Sequence, residues 1–168
     1  MPNGNIAACE PMIDAATFRR VMSRFASGIA IITTCDGEQD YGMTVNAFCS
    51  VSLSPPLVLV CVDHQATMHD LLLQHPKLGI SIMAAEHEAH CRRFADRSET
   101  RRFEGVACRR GESAVMLLED AMAHLECQLV HHCEAGDHTI FIAEVQRAAM
   151  RDGRPLLFFG GQFAQLAG

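Results

Sequence analysis

The sequence predicts a mainly β protein with helical decoration, built as an antiparallel barrel. About six short segments are rich in β-branched or other apolar residues, which is typical of strands. They meet at turn dipeptides such as Asp36-Gly37 and Asp152-Gly153, rather than through regular helical crossovers. No G-x-G-x-x-G and no G-x-x-x-x-G-K-[ST] motif occurs, so the sequence provides neither a Rossmann nor a P-loop phosphate cradle.

The composition is that of one globular domain. Hydrophobic residues make up 49% and charged residues 20% of the 168 residues, which excludes a chain disordered throughout. A net charge of −6 argues against nucleic acid as the main partner, and no apolar run is long enough to span a membrane. The N-terminus has no basic start and no apolar run, so we expect no signal peptide and a cytoplasmic location. We expect residues 1–13 to form a flexible tail and residues 14–168 a single domain.

The first half of the chain is predicted to contain one helix and several strands. Asp14 is a helix cap, and Gly28 is expected to end the helix. Between them, apolar residues recur at helical spacing, at Phe18, Val21, Met22 and Phe25. Pro55-Pro56 interrupts a region rich in Thr, Val, Ser and Leu. Strands are expected at residues 29–34, in 41–52, and at 57–62, the last of them buried.

The second half is predicted to contain two short helices, a loop and a long hairpin. The helices span residues 67–74, which stop before Pro76, and residues 86–95. Residues 96–113 are charged and interrupted by glycine, so they form a surface loop whose arginines either are solvated or contact an anionic ligand. Strands are expected at residues 78–83, in a hairpin over 121–145, and at 156–159.

The eight cysteines and nine histidines raise the question of a metal site. No two cysteines have C-x-x-C spacing, and most lie in apolar runs, so we expect buried, reduced thiols. His87 and His90 lack the i, i+4 spacing of the H-E-x-x-H zinc motif. His131 and His132 are neighbours in a strand, where adjacent side chains point to opposite faces. We therefore expect no metal site.

Three segments carry a more specific pattern. The first is residues 25–34, and the second, 42–62, contains Thr-x-Asn-Ala-x-x-Ser-Val-Ser-x-x-Pro-Pro. The third begins at the Gly136-Asp137-His138 turn and, with a break, reaches residue 163. In this order, over most of residues 14–166, they resemble the short flavin reductase family, the reductase components of two-component flavin monooxygenases. The resemblance implies the flavin-binding split barrel, an antiparallel Greek-key fold.

The resemblance also implies an activity and partners. The protein would be an NAD(P)H:flavin oxidoreductase, which transfers a hydride from NADH or NADPH to FAD or FMN and holds the two rings together. Reduced flavin would pass to a separate monooxygenase, and the reductase would be a homodimer. Two alternatives remain open. One is a flavoprotein that keeps its flavin and passes electrons to a protein acceptor, and the other is a non-catalytic flavin- or metal-binding module.

By the same resemblance, the flavin contacts fall along one stretch, in which Ser50 and Ser52 share a strand face for the ribityl chain and phosphate. Its members are Thr44, Val45, Asn46, Ala47, Phe48, Cys49, Ser50, Val51 and Ser52. Ala66, where the family often has Ser, and Thr67 open a helix that suits a phosphate. His138 is the expected catalytic residue beside the nicotinamide. The remaining contacts are assigned to Arg102, Phe103 and Phe163.

Overall fold

The computed structural model describes residues 13–166, so nearly all of the tail expected at residues 1–13 lies outside the described range. Within that range strands dominate, as the sequence predicts. In chain order the strands are β1 (Ser27–Gly28), β2 (Ala30–Cys35), β3 (Asp40–Val45), β4 (Phe48–Leu53), β5 (Pro56–Asp63), β6 (Lys77–Ile82), β7 (Cys108–Arg110), β8 (Met116–Leu118), β9 (Ala123–Ala135), β10 (His138–Met150), β11 (Leu156–Phe159) and β12 (Gln162–Gln165).

Three α-helices decorate the strands of the described range. They are α1 (Ala15–Met22), α2 (Thr67–Gln74) and α3 (Glu88–Ala95), the last preceded by a 3₁₀ turn at Ala85–His87. The predicted cap of the first helix is confirmed, because the Asp14 side chain accepts a hydrogen bond from the Thr17 backbone N–H at 2.6 Å. The bounds of α2 are also those predicted from the sequence.

Seven strands form one antiparallel sheet in the order β3-β2-β6-β9-β10-β5-β4. Its centre is the long β9–β10 hairpin, whose turn places Gly136 in the left-handed region with φ 71°. Strand β5 pairs with β10 on the other side, and β4 with β5. The prediction of a mainly β, antiparallel fold is confirmed. Within residues 13–166 the sheet keeps two edges, β3 and β4, and these pairings do not close it into a barrel.

The pleat of β2 divides the apolar interior into two clusters. Ala30 and Ile32 face a main core, which β5, β6, β9, β10 and α2 complete. Ile31, on the other face, joins a second core with Cys91 and Phe94 of α3. Helices α2 and α3 therefore lie on opposite faces of the same end of the sheet, and both contact the edge strand β3.

The first helix differs from the prediction in length and environment. It ends at Met22, where the Ser23 N–H donates to the Arg19 carbonyl, rather than at Gly28. Ser27 and Gly28 instead pair with β11, in a small sheet completed by β12. The apolar residues that recur at helical spacing are exposed: Phe18 53%, Val21 62%, Met22 48% and Phe25 72%.

Four further predictions need correction. The strand expected to be buried over residues 57–62 alternates, with Val58, Val60 and Val62 buried and their neighbours half-buried. The loop at 96–113 contains β7, which pairs with β8, and β12 follows the strand expected to be last. The described cysteines are not uniformly buried, because Cys49 and Cys133 are exposed. Burial raises the pKa of the two buried thiols, Cys91 and Cys127, to about 12.

Candidate functional site

A cavity of about 340 Å³ opens at the β3 edge of the main sheet, between α2 and α3. Strand β3 forms its floor, the first turns of α2 form one wall, and the end of α3 with the following loop forms the other. Four residues assigned from the sequence line it, namely Thr44, Ala66, Thr67 and Arg102. The sequence did not single out the others, which are Tyr41, Gly42, Met43, Gln65, Met68, Leu71, Phe94, Ala95 and Arg97.

The N-terminus of α2 supplies hydrogen-bond donors to this cavity. The first N–H groups of a helix have no intrahelical acceptor, and the positive end of the helix dipole lies among them. Ala66 occupies the N-cap position and its methyl group makes no side-chain cap. Asp63 instead holds the preceding turn, accepting a hydrogen bond from the Gln65 N–H at 2.8 Å. The N–H groups at Thr67 and Met68 are therefore oriented for an anionic ligand.

Two arginines from the loop after α3 add positive charge. An Arg97 Nη atom lies 2.9 Å from an Asp63 carboxylate oxygen, and both side chains are at the rim. The hydrogen bond from Gln65, together with Arg97, lowers the pKa of Asp63. Arg102 donates from Nη2 to the Asp96 carbonyl at 2.7 Å, whereas its buried Nε has no partner among the described residues.

The floor of the cavity is tightly packed. A Cβ atom at Gly42 would lie 2.5 Å from the Phe94 ring, so the strand approaches α3 more closely than any other residue would allow. Phe103 packs against Phe94 in an edge-to-face contact, with ring centroids 5.0 Å apart. The Thr44 hydroxyl donates to the Cys91 carbonyl at 2.7 Å, so Thr44 contributes mainly its backbone and methyl group to the cavity.

His138 lies beside the cavity rather than in it. It begins β10 and pairs with Asp63, and its side chain is 42% exposed. Its Nδ1 lies 2.7 Å from a carboxylate oxygen of Asp137, and this hydrogen bond lowers the pKa of Asp137. A proton on Nδ1 is donated to Asp137, which leaves Nε2 available to a ligand. The His64 N–H donates to the Asp137 carbonyl at 3.1 Å and ties the turn to the end of β5.

The bend between β3 and β4 reaches the same end of the sheet. Asn46 and Ala47 are exposed, and the Ala47 carbonyl accepts a hydrogen bond from the Cys61 N–H at 3.0 Å. Phe48 then pairs with Val60, so the bend lies level with the end of β5. Because β5 is flanked by β4 and β10, the bend and His138 lie on either side of the same strand end.

The rest of the predicted flavin stretch divides between core and surface. The Val45 side chain is buried and Phe48 packs against the main core, whereas Cys49, Ser50 and Val51 are exposed. The expectation that Ser50 and Ser52 share a face is wrong. A β-bulge pairs Ser50 with Val58 and Ser52 with Leu57, and these consecutive partners point to opposite faces.

Phe163 is not brought to the cavity. It lies on β12 and packs against the second core, with its ring centroid 5.9 Å from that of Phe158. The Arg92 guanidinium lies 4.8 Å from the ring centroid. Arg97, by contrast, lines the cavity, and the sequence offered it only as one of the loop arginines that either are solvated or contact an anionic ligand.

The donor set of the cavity fits a phosphorylated ligand. It combines the helix N-terminus with the guanidinium groups of Arg97 and Arg102, and a phosphate oxygen is the type of acceptor these groups bind. His138 and the exposed bend offer a second, ring-sized surface next to it. No helix within residues 13–166 has the length and apolar character needed to cross a bilayer.

Fold and site together define a mainly β protein with a cavity at one edge of an antiparallel sheet, lined by groups that fit a phosphorylated ligand. Residues 22–167 match the family model described as the flavin reductase like domain, and the chain belongs to this family. The family inferred from the three sequence segments is confirmed.

Individual relatives agree with this assignment. The chain is 42% identical over 159 residues to an NADH-dependent FAD reductase of Streptomyces globisporus, covering 92% of this chain and 87% of that protein. It is 34% identical over 151 residues to the reductase component of a 4-nitrophenol 4-monooxygenase/4-nitrocatechol 2-monooxygenase of Rhodococcus opacus, covering 90% and 80%. The solved structure of the Streptomyces globisporus C-1027 NADH:FAD oxidoreductase SgcE6, in complex with NAD and FAD fragments, matches with a TM-score of 0.88 and 42% identity, covering 92% and 93%.

Proposed function

We propose that the chain is an NADH-dependent flavin reductase that reduces FAD or FMN and supplies the reduced flavin to a separate monooxygenase. Relatives named as NADH-dependent FAD, flavin and FMN reductases support the donor and the acceptor. Relatives named as reductase components of monooxygenases support the partner. The structural observation that carries the proposal is the convergence of the α2 N-terminus and the Arg97 and Arg102 side chains on one cavity.

In this function the side chains bind and orient. The flavin would supply the hydride acceptor when bound, so no side chain has to act as a nucleophile or base. The first N–H groups of α2 and the Arg102 guanidinium bind the phosphate. The Arg97–Asp63 ion pair holds the side of the cavity along which the phosphorylated tail of the flavin lies. His138 presents Nε2 at the strand end next to the cavity, where it hydrogen-bonds the nicotinamide or the flavin edge.

The ring surface is assigned to the bend between β3 and β4 and to the exposed part of β4. Asn46 and Ala47 are accessible and lie across β5 from His138, which places backbone and amide groups near the proposed hydride transfer. Adjacent side chains of β4 point to opposite faces, so only one of the exposed residues Cys49 and Ser50 extends this surface with its side chain. Phe103 is assigned an indirect role, through its edge-to-face contact with Phe94. Phe163 takes no part in this site, because it packs against Arg92 on the second core.

The test is a direct assay of turnover. Purified protein is mixed with NADH and with added FAD or FMN, and absorbance at 340 nm is followed, with NADPH in a parallel reaction. We expect multiple turnovers of NADH that scale with added flavin. Oxidation of neither nucleotide would overturn the proposal. A yellow protein that reduces only a protein acceptor would instead support a flavoprotein that retains its flavin.

The finer architecture forms part of the proposal. We assign residues 14–168 to a single split-barrel domain of Greek-key type, supported by the structural match over 92% of the chain.

A homodimer is supported by the exposed apolar side chains of Phe18, Val21 and Phe25. Light scattering should then give twice the 18.4 kDa chain mass, and a monomer would contradict the dimer. The seven described cysteines are free, which agrees with the reducing cytoplasm.

A further inference from the structure

Two histidines and a glutamate lie close together at the junction between β5 and α2. His64 follows β5, His69 lies on α2, and Glu134 lies near the end of β9. One donor atom from each lies within 4.8 Å of the other two. His64 Nε2 is 2.9 Å from a Glu134 carboxylate oxygen, and the two imidazole centroids are 5.0 Å apart. None of the three side chains lines the cofactor cavity.

Hydrogen bonds from neighbouring residues hold these donors in place. His69 is only 9% exposed, and its Nδ1 lies 2.9 Å from a carboxylate oxygen of Asp70. Its Nε2 lies 2.9 Å from the hydroxyl of Thr139, which is fully buried and donates in turn to Glu134 at 3.1 Å. A histidine whose second nitrogen bonds a carboxylate has the outer-shell arrangement found for metal-binding histidines.

We propose that His64, His69 and Glu134 form a site for one divalent transition-metal ion of the zinc type. Two imidazole nitrogens and a carboxylate oxygen are a donor set that zinc accepts, with a fourth position left for water. Bonds of about 2.0–2.2 Å place tetrahedral donors about 3.4 Å apart, so the cluster needs only small side-chain rotations to bind an ion. The ion would bind the lone pair of His69 Nε2 in the tautomer whose proton lies on Nδ1 and is donated to Asp70, and it would take the place of the Thr139 hydroxyl at Nε2. The Glu134 side chain, 66% exposed, leaves a route for the ion.

The position of this site gives it a structural consequence. His64 directly follows Asp63, and Thr139 directly follows His138, so the ion lies behind the strand ends that present the candidate catalytic histidine. It links the end of β5, the first helical turns of α2 and the β9–β10 hairpin. Local spacing does not predict this site, because Glu134 is remote from both histidines in the chain.

The experiment uses the full-length protein without an affinity tag, stripped of metal with a chelator. Cobalt(II) is titrated and its visible absorption bands are followed, because four-coordinate cobalt gives an intense signal. Zinc is then added in a thermal unfolding series. We expect saturation at one equivalent of cobalt. We also expect a rise in Tm of about 5–10 °C when zinc is present at 100 times its Kd.

Variants locate the bound ion. H64A and E134Q change exposed side chains and should each weaken cobalt binding at least tenfold, with circular dichroism confirming the fold. H90A is the matched control, because His87 and His90 form another histidine pair with ring centroids 5.5 Å apart, and it should bind cobalt as the wild type does. The proposal is overturned by unsaturable binding, by binding lost in H90A but retained in H64A, or by a thiolate charge-transfer band that points to Cys49 or Cys133. Reductase activity is measured separately, so its absence would leave the metal result standing.

Discussion

Replacing Arg102 with Gln should weaken flavin binding and leave turnover at saturating flavin near the wild-type level. Arg102 lines the cavity, and its Nη2 donates to the Asp96 carbonyl, which holds the guanidinium in place. We propose that the remaining N–H groups of this guanidinium donate to a phosphate oxygen of the flavin. A hydrogen bond between charged groups contributes about 1.5–3 kcal/mol, so its loss should reduce flavin affinity roughly 10- to 150-fold.

The assay is steady-state NADH oxidation at varied flavin, with flavin fluorescence titration as an independent measure of Kd. The KM for flavin should rise by the stated factor while kcat changes little. R101Q is the matched control. Arg101 is adjacent in the chain, its side chain is 78% exposed and paired with Glu104 at 3.3 Å, and it does not line the cavity. Loss of the Arg101 guanidinium should change the KM for flavin by less than about twofold, because exposed ion pairs contribute little.

Two results would refute this reasoning. An unchanged KM in R102Q would mean that the Arg102 guanidinium does not contact the phosphate. Equal increases in R101Q and R102Q would mean that the loop acts only through its overall charge. Thermal unfolding of both variants distinguishes these results from a loss of structure through the Asp96 contact.

Three further predictions concern other parts of the fold. His138→Asn should lower kcat more than flavin affinity, and stopped-flow reduction measures this; unchanged reduction would remove His138 from the site. Gly42→Ala forces a Cβ to 2.5 Å from the Phe94 ring and should lower the free energy of unfolding by about 1–3 kcal/mol in urea titration. Burial raises the pKa of Glu126, but hydrogen bonds from Ser113 outweigh it, so the net shift is downward. Its stabilising contribution is therefore present above pH about 4.3 and lost as pH falls. Glu126→Gln should cost about 1 kcal/mol at pH 7 and flatten the acid limb of the stability profile.

The sequence correctly predicted the elements whose ends are set by a turn residue or a helix-breaking proline. The turn at Gly136 specified the long hairpin, and Pro76 limited α2 to its observed end. The segment after Gly28 gave β2 to within a residue. The apolar spacing around Phe18 predicted a helix correctly, but periodicity does not show what covers the apolar face, and within residues 13–166 nothing buries it.

The candidate site was predicted where it follows one stretch of chain and missed where it depends on long-range packing. Thr44 and Thr67 were assigned because their segments resemble the family, whereas Arg97 was named only among the loop arginines and its guanidinium pairs with Asp63, which is remote in the chain. The bulge at Val51 breaks the alternation that a strand pattern assumes. Such an irregularity depends on the partner strand, which the spacing of serines does not reveal.

The missing hydroxyl at Ala66 affects how the proposed site would retain a ligand. A helix cap with a serine would add a short-range bond, whereas the phosphate contacts proposed here are backbone N–H groups and arginines, of which Arg97 is 66% exposed. Mobile ions screen such charges over about 8 Å at physiological ionic strength. In the proposed site, the residence time of the flavin therefore depends on ionic strength, and release of the reduced flavin requires no conformational opening.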